Sequence, residues 1–407
     1  MISVEEALDH VRHCTRALPE QRVPLGEALG LRLAEAIVSE VDSPPFDKAM
    51  LDGYAVSVHD SAATLRVVEQ VLAGGVPHHA VEPGTTIRVM TGAPVPDGAD
   101  AVVKHEDVKE TADRSTVELP ESGVSEGGGI LPRGAAFHRG QEVLSVRKRL
   151  SPIDLALLAE VGKDRVAVVP RSRVAVLATG NELVEPGRPV GPAQICNSNG
   201  PMLLALLEAQ RVEAMDLGIG RDDPEELCKL IEQGLSADVL LVTGGVSAGV
   251  MDLVPGVLEQ LGVEQVFHKV QMKPGKPLWF GQRRQQGRST LVFGLPGNPV
   301  STLVCYELFV KPALEALSGQ EFSSKKPVRG SLSDKVAHRG KRPTYLPCKM
   351  DFGQRLQGLP NVEPLPWRGS ADLAALSRAN ALAVLPAGDY ELLSGAEVEM
   401  LTLDSKS

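Results

Sequence analysis

Residues 241–252 read LVTGGVSAGVMD, and this stretch decides the fold of the middle of the chain. It opens on the end of an apolar run, Asp238 to Thr243, that is typical of a buried strand. Three glycines and two hydroxyl side chains mark the loop, and a helix is predicted from Asp252 to Leu261. A buried strand that passes through a glycine-rich loop into a helix is the repeating step of a parallel sheet.

The same step recurs on both sides of this stretch. Strands are predicted at Val174–Ala178, Asp238–Thr243 and Thr290–Phe293. The helices predicted between and after them are Pro201–Gln210, Pro224–Gly234, Asp252–Leu261 and Pro299–Leu317. The alternation indicates a mainly parallel sheet covered by helices on both faces.

The flanking regions have a different pattern. Residues 3–18 predict an amphipathic helix capped by Ser3, and residues 25–38 predict a second helix with an apolar residue at every fourth position. Residues 54–146 predict a β-rich region, with strands at Leu65–Val71, Thr86–Met90, Ala101–Val103 and Thr116–Leu119. After a polar linker at 319–328, short strands and one helical piece near Ala371–Ala379 predict a small β-domain.

The composition excludes several classes of protein. Of 407 residues, 43% are hydrophobic and 23% are charged, as in ordinary globular chains, and the net charge of −10 argues against a nucleic-acid-coating protein. We expect neither a secretory signal nor a membrane span, because the first residues are acidic and no long apolar run occurs. Five scattered cysteines without a C-x-x-C pair indicate a reducing compartment, so we expect a cytoplasmic protein.

Residues that follow the predicted strands are candidate site residues, because ligands of parallel α/β sheets bind beyond the carboxyl ends of the strands. Glu182 follows the first strand, where the alternative is an ordinary capped turn. The loop from Thr243 to Ser247 follows the second strand, and bare backbone N–H groups with hydroxyls can wrap a phosphate. Asp252 either caps the next helix or holds Mg²⁺ through an oxygen.

Other candidates lie on loops. Lys273 and Lys276 stand three apart in a loop that reads MKPGKP, which favours an oxyanion site over loose surface lysines. Asn298 is placed as a helix N-cap, with an anion-binding helix start as the functional alternative. Asp52 and Thr91 are, by default, turn residues.

Six motifs occur in order along nearly the whole chain. They are FD at 46–47 with DGYAV at 52–56, MTGAP at 90–94, TGNEL at 179–183, GGVS at 244–247, KPGKP at 273–277 and LPGNP at 295–299. Each motif is weak alone, but together they resemble the MoeA family, the molybdopterin molybdenumtransferases, which includes the E domain of gephyrin.

The resemblance implies a multidomain α/β fold. A MoaB-like three-layer α/β domain would span 171–318, with an N-terminal helical part (1–45 with 147–170), a β-rich insertion (46–146) and a C-terminal β-barrel-like domain (329–407). It also implies an elongated homodimer, with the active cleft between the α/β and C-terminal domains of one subunit and the insertion of the other.

The implied activity is the insertion of molybdate into adenylylated molybdopterin, with release of AMP and with Mg²⁺ as cofactor. The implied partners are these small-molecule substrates, a second copy of the chain, and transiently the adenylyltransferase of the same pathway. Neither nucleic acid nor a membrane is expected as a partner.

The resemblance also carries roles over to individual positions. The catalytic residues would be Asp52, Glu182, Asp252, Lys273 and Lys276, and two of these, Glu182 and Asp252, would be the metal ligands. Molybdate would be contacted by the two lysines and by Ser301, Arg342 and Ser370. The residues implied to bind the pterin nucleotide are Thr91, Thr179, Asp238, Thr243, Gly244, Gly245, Ser247, Gly297 and Asn298.

The sequence departs from the family pattern at Ala136, where an acidic residue is common, at Leu253, where tyrosine is common, and at Pro347, where arginine is frequent. Two alternative functions stay open: the adenylyltransferase that makes the substrate, which the α/β domain alone would suit, and a pterin carrier or scaffold without catalysis, which the missing acidic residue leaves open. The additional terminal domains and Asp52 favour molybdenum insertion over the first, and the retained lysines and carboxylates favour it over the second.

Overall fold

A computed structural model describes residues 1–121, 123–246, 253–285, 287–323 and 327–403. The chain forms two compact units. The smaller unit comprises residues 22–167, and the larger unit comprises residues 1–21 and 168–407. Within the described residues, no helix is both long and apolar enough to cross a membrane.

The larger unit begins with helix α1 (Val4–Cys14). Its start is fixed by a capping box, in which the Ser3 hydroxyl accepts from the Glu6 amide and the Glu6 carboxylate accepts from the Ser3 amide. The predicted cap is confirmed, but the helix ends at Cys14 instead of continuing to residue 18.

Short strands make up most of the smaller unit, and a six-stranded sheet of order β8-β5-β7-β6-β10-β9 holds its core. From residue 21 to residue 169 the strands and α-helices are, in chain order, β1 (Gln21–Pro24), β2 (Arg32–Leu33), β3 (Ile37–Val38), β4 (Lys48–Ala49), β5 (Gly53–Val56), β6 (Thr64–Val71), β7 (Thr85–Val89), β8 (Ala101–Lys104), β9 (Lys109–Glu110), β10 (Thr116–Glu118), β11 (Ile130–Leu131), β12 (Glu142–Leu144), α2 (Pro152–Glu160) and β13 (Arg165–Val169). The predicted β-rich region is confirmed.

The helix predicted at residues 25–38 is wrong. One short 3-10 turn occurs at Leu25–Glu27, and the chain then pairs as β2 and β3. An apolar residue at every fourth position fits one face of a helix, but it also fits one face of a strand, because four is a multiple of two. Leu33 and Ile37 are buried in either case, and strand pairing with β12 and β13 decides the structure.

The α/β region of the larger unit is a six-stranded sheet of order β17-β14-β18-β21-β20-β19. Its elements are β14 (Arg173–Thr179), β15 (Leu183–Val184), β16 (Ile195–Cys196), α3 (Asn199–Ala209), β17 (Glu213–Gly220), α4 (Pro224–Gly234), β18 (Val239–Thr243), α5 (Val254–Gln260), β19 (Glu264–His268), β20 (Trp279–Gln285), β21 (Arg288–Leu295), α6 (Pro299–Cys305) and α7 (Lys311–Leu317). A π-helical turn at Tyr306–Val310 joins α6 to α7.

The first four strands of this sheet pair in parallel. Strand β20 is antiparallel to both of its neighbours, β21 and the edge strand β19. Alternate residues of β14 enter different cores, with Val176 facing α1, α3 and α6 and Leu177 facing α4 and α5. This alternation confirms a mainly parallel sheet with helices on both faces.

The C-terminal region contains the closed barrel β22-β25-β24-β26-β28. Its elements are β22 (Val328–Leu332), β23 (Val336–His338), β24 (Thr344–Leu356), β25 (Leu359–Pro364), α8 (Leu373–Arg378), β26 (Ala381–Leu385), β27 (Tyr390–Leu392) and β28 (Glu397–Thr402). The predicted small β-domain and its helical piece are both confirmed.

An aromatic row in the larger unit provides a test of this packing. Phe267, Phe280 and Phe293 are buried, with successive ring centroids 5.4 and 4.8 Å apart. Phe293→Ala should lower the free energy of unfolding of this unit by about 3–5 kcal/mol, because it leaves a cavity beneath α3 and α6. Guanidinium unfolding, followed by the fluorescence of Trp279 and Trp367, measures the change.

Phe352→Ala is the matched control, since Phe352 is 59% exposed in the same unit. It should change the free energy by less than about 0.5 kcal/mol. Equal effects of the two substitutions would contradict the packing described for the row.

Candidate functional site

The carboxyl ends of the central parallel strands lie at one level. Thr179 of β14 is opposite Gly220, its neighbour Ala178 is opposite Thr243, and Thr243 is opposite Leu295. Adjacent strands are about 4.8 Å apart, so the loops that leave them begin side by side. The structure therefore brings together the loops at 179–183, 243–246 and 295–298.

The Gly244–Gly245 loop is built so that only glycine fits. Both residues have positive φ, +91° and +60°. A Cβ atom on Gly244 would lie 2.4 Å from the carbonyl oxygen of Thr179, which excludes any side chain. The half-buried loop thus has no side chain between its backbone and a ligand at the strand ends, as a phosphate cradle requires. Ser247 and Asp252 lie outside the described residues.

Asn199 connects two of these loops, and the sequence analysis missed it. Its Nδ2 donates to the Thr243 hydroxyl at 2.8 Å and to the Gly297 carbonyl at 2.7 Å. The Thr243 hydroxyl in turn donates to the carbonyl of Pro296 at 3.3 Å. The available signal was the NSN triplet at 197–199, because such residues favour helix starts and local hydrogen bonds.

Glu182 is exposed beside the strand ends. Its backbone is held by the short parallel pair β15–β16, in which Ile195 N donates to Glu182 O at 2.8 Å. Its carboxylate lies against Gly180, since a Cβ atom there would be 2.5 Å from Oε2. In the part of the chain that the structure describes, no three His, Cys, Asp or Glu side chains come together as a metal site.

The lysine loop is joined by hydrogen bonds to the segment that carries Arg342. Lys273 N donates to Pro343 O at 2.9 Å, and Tyr345 N donates to Lys273 O at 2.8 Å. The guanidinium of Arg342 donates to the carbonyl of Met272 at 3.1 Å. Both lysines are exposed, and among the described residues neither they nor Arg342 pairs with a carboxylate within 4.0 Å.

Helix α6 is contacted near both ends by predicted site segments. Val300 N donates to the carbonyl of Ser370 at 3.0 Å, close to the exposed Gly297 and Asn298. At the other end, Cys305 packs against Gly275 in the lysine loop. Ser301 lies in this helix and is only 4% exposed. Asn298 occupies the N-cap position, as predicted, but its side chain makes no capping bond.

The structure does not bring Asp238 to the glycine loop. Asp238 precedes the first residue of β18, whereas Thr243 is the last, which separates them by about 16 Å at the usual rise per residue. At that opposite end its carboxylate accepts from Arg173 N at 2.8 Å and contacts Arg288 at 3.5 Å. It thus joins the starts of neighbouring strands.

Asp52 and Thr91 form a pair in the smaller unit. One carboxylate oxygen, Oδ1 of Asp52, accepts from both the amide and the hydroxyl of Thr91, each at 2.7 Å. These bonds, first the amide and then the hydroxyl, lower the pKa of Asp52 below its ordinary value. Thr91, which the sequence analysis placed as a ligand contact, therefore orients an ionised carboxylate.

By fold and site geometry, the protein is a multidomain α/β protein with a candidate anion site at the carboxyl edge of its parallel sheet. Three family models match: the MoeA N-terminal region (domain I and II) at residues 2–162, a probable molybdopterin binding domain at 175–316, and the MoeA C-terminal region (domain IV) at 329–403.

Similar proteins extend over nearly the whole chain. A molybdopterin molybdenumtransferase of Synechococcus elongatus is 36% identical over 395 residues, 94% of each chain. One from Staphylococcus aureus is 30% identical over 99% of this chain and 96% of its own. The crystal structure of a molybdopterin biosynthesis MoeA protein from Pyrococcus horikoshii is 32% identical, covers 99% of both chains and has a TM-score of 0.83. The chain belongs to the MoeA family.

The Asp52–Thr91 pair can be tested by titration. Thr91→Val removes the hydroxyl bond and keeps the amide bond, so the pKa of Asp52 should rise part of the way to its ordinary value. The carboxyl ¹³C chemical shift of Asp52, followed against pH, measures this rise. Because the folded-state pKa is depressed, its stabilising contribution exists above the unfolded pKa and disappears as the pH falls through the folded pKa.

The control is Thr85→Val in the same unit, since the Thr85 hydroxyl donates to the Glu82 carbonyl and not to a carboxylate. This variant should leave the pKa of Asp52 unchanged. A Thr91→Val protein with the wild-type pKa would contradict the assigned orientation of the carboxylate.

Proposed function

We propose that this protein inserts molybdenum into molybdopterin in the biosynthesis of molybdenum cofactor. In the finer form of the proposal, molybdate is the metal donor, adenylylated molybdopterin is the acceptor, and AMP is released as the phosphoanhydride is broken. The observation that carries the proposal is the hydrogen-bonded pair of loops that presents Lys273, Lys276 and Arg342 without carboxylate partners among the described residues. Relatives that are named molybdopterin molybdenumtransferases and match nearly the whole chain support it.

The chemistry that the residues can supply agrees with this reaction. Molybdate is a dianion, and two ammonium groups three residues apart offset its charge without fixing a rigid geometry. Arg342 adds a guanidinium, which suits a tetrahedral oxyanion because several N–H groups point the same way. The half-buried backbone at Gly244 and Gly245, which carries no side chain, suits the phosphates of the nucleotide.

Two carboxylates have separate roles in the proposal. Asp52 is ionised at neutral pH, and the bonds from Thr91 lower its pKa further, so its carboxylate can accept a hydrogen bond and orient a proton on a reacting oxygen. Glu182 is exposed at the strand ends and can hold Mg²⁺ through an oxygen. A single carboxylate fits Mg²⁺ when substrate phosphates supply the other ligands, and bound Mg²⁺ would offset phosphate charge. Asp252, proposed as a second ligand, lies outside the described residues.

Release of AMP tests the proposal directly. Purified protein, mixed with adenylylated molybdopterin and Mg²⁺, should release AMP when molybdate is added. AMP release that does not depend on molybdate, or no AMP release at all, would contradict the proposed insertion reaction. Conversion of ATP and free molybdopterin into the adenylylated form would instead favour an adenylyltransferase, and binding without turnover would favour a carrier or scaffold.

Lys276→Ala should raise the molybdate concentration for half-maximal AMP release by about tenfold or more, which corresponds to the loss of one charge-assisted contact of about 1.5–3 kcal/mol. The affinity for adenylylated molybdopterin should change much less. Lys229→Ala, at an exposed lysine of α4, is the control and should alter neither quantity. Equal losses of both affinities in Lys276→Ala would contradict a molybdate contact.

We propose further that the protein is a cytoplasmic homodimer that meets the adenylyltransferase of its pathway transiently. Its five cysteines are free thiols, which agrees with a reducing compartment. Light scattering after gel filtration should give twice the mass of one chain at micromolar concentration, and a monomer there would contradict the dimer.

A further inference from the structure

Asn199 is a buried amide at the centre of the candidate site. It is 7% exposed, it is the first residue of α3, and it lies between the ends of β18 and β21. Its neighbour Asn197 has a local role, since its Oδ1 accepts from Gly200 N at 3.0 Å within the same turn. The bonds of Asn199 instead cross to residues 44 and 98 positions away in sequence.

The orientation of the Asn199 amide is fixed by its partners. The carbonyl oxygen of Gly297 can only accept a hydrogen bond, so the atom 2.7 Å from it must be Nδ2. The same nitrogen uses its second hydrogen on the hydroxyl of Thr243. That hydroxyl passes its own hydrogen on to the Pro296 carbonyl, so donors and acceptors match along the whole chain of bonds.

The other end of the amide is unsatisfied. Oδ1 of Asn199 is buried and has no hydrogen-bond partner among the residues that the structure describes. A buried acceptor without a donor is destabilising, and native proteins keep few of them. Its position beside the Gly297 and Thr243 loops indicates that this end of the site is completed by a group the described chain does not supply.

We propose that Asn199 is a positioning residue that holds the Gly244–Gly245 loop and the Gly297–Asn298 turn in register, so that both engage one ligand together. The inference rests on the proposed function, and it names a residue that acts through its neighbours without touching the reacting atoms. Thr243 leads directly into Gly244, and Gly297 precedes Asn298, so one side chain fixes the spacing of the two loops. The Cα of Gly244 lies within 3.8 Å of the place of a Cβ atom on Gly297.

Two substitutions distinguish the effect of the Asn199 hydrogen bonds from the effect of its side-chain volume. Asn199→Asp keeps the shape of the side chain but has no donor when ionised, and it sets a carboxylate against the Gly297 carbonyl. Asn199→Ala removes both shape and donor. The control is Thr290→Val, because Thr290 is also buried in this sheet and donates to the carbonyls of Leu235 and Ala237 at the opposite edge.

The kinetic expectation concerns AMP release from adenylylated molybdopterin with saturating molybdate. Asn199→Asp should lower kcat about tenfold or more at pH 8 while KM changes by less than about threefold, because alignment of both loops matters most in the transition state. The loss should shrink as the pH falls and the carboxyl group protonates, since a carboxylic acid can donate one of the two bonds. Thr290→Val should keep the wild-type kcat.

Hydrogen exchange tests the same inference without any substrate. In ligand-free protein, amides in peptides covering 239–246 and 294–300 should both exchange faster in Asn199→Asp than in wild type. In Thr290→Val, the exchange rates of the two peptides should change no more than those of the rest of the protein. If Asn199→Asp does not fold, Thr243→Val breaks the same link from its other side and should give the same pair of changes.

The two proposals fail in different ways. If wild-type protein releases no AMP, the proposed function fails, and the exchange of the two peptides alone decides the role of Asn199. If wild type is active but Asn199→Asp keeps its kcat at every pH, or if only one peptide exchanges faster, the positioning role is overturned. A kcat loss in Asn199→Ala that Asn199→Asp fully restores at pH 8 would reduce the role to filling space, and would also overturn it.

Discussion

The candidate site depends on the register of three parallel strands. Because Ala178, Thr243 and Leu295 are opposite one another, the loops that follow them start at the same level of the sheet. A shift of one residue in either pairing would turn alternate side chains to the wrong face and separate the loops. The register is stabilised by two cores, one on each face, into which β14 and β18 send alternate side chains.

Much of the fold could be predicted from the sequence, and there is a physical reason why the remaining elements could not. The buried strand before Gly244 and the helix at 224–234 were evident, because apolar runs and helix caps are local signals. Strand β17 was missed since its side chains are mostly exposed or half-buried, which removes the apolar run. The false helix at 25–38 came from a spacing of four, which a strand satisfies equally well.

In the candidate site, too, some residues could be predicted from the sequence and others could not. Glycines, lysines and carboxylates are recognisable by their chemistry. Among the described residues of the larger unit, all the predicted site residues except Asp238 lie at the carboxyl edge of the sheet or on segments joined to it by hydrogen bonds. Asn199 could not be recognised in this way. Its two partners lie far along the chain, and nothing in the local NSN triplet distinguishes it from Asn197. Similarly, the bond of Thr91 to Asp52 could not be predicted, because it joins residues 39 positions apart in sequence.

An acidic chain can still hold an anion, because the relevant field is local. The net charge of −10 is spread over the surface, and salt screens it beyond about 8–10 Å. The lysine loop and the segment of Arg342 are joined by hydrogen bonds, so these cationic side chains leave neighbouring segments of the chain. The lysine side chains are exposed, whereas Gly244 and Gly245 are half-buried and the buried amide of Asn199 is hydrogen-bonded to two loops. Under the proposed function, the cationic side chains would supply affinity for the charge and Asn199 would supply the alignment of the loops, so a substitution could change one without the other.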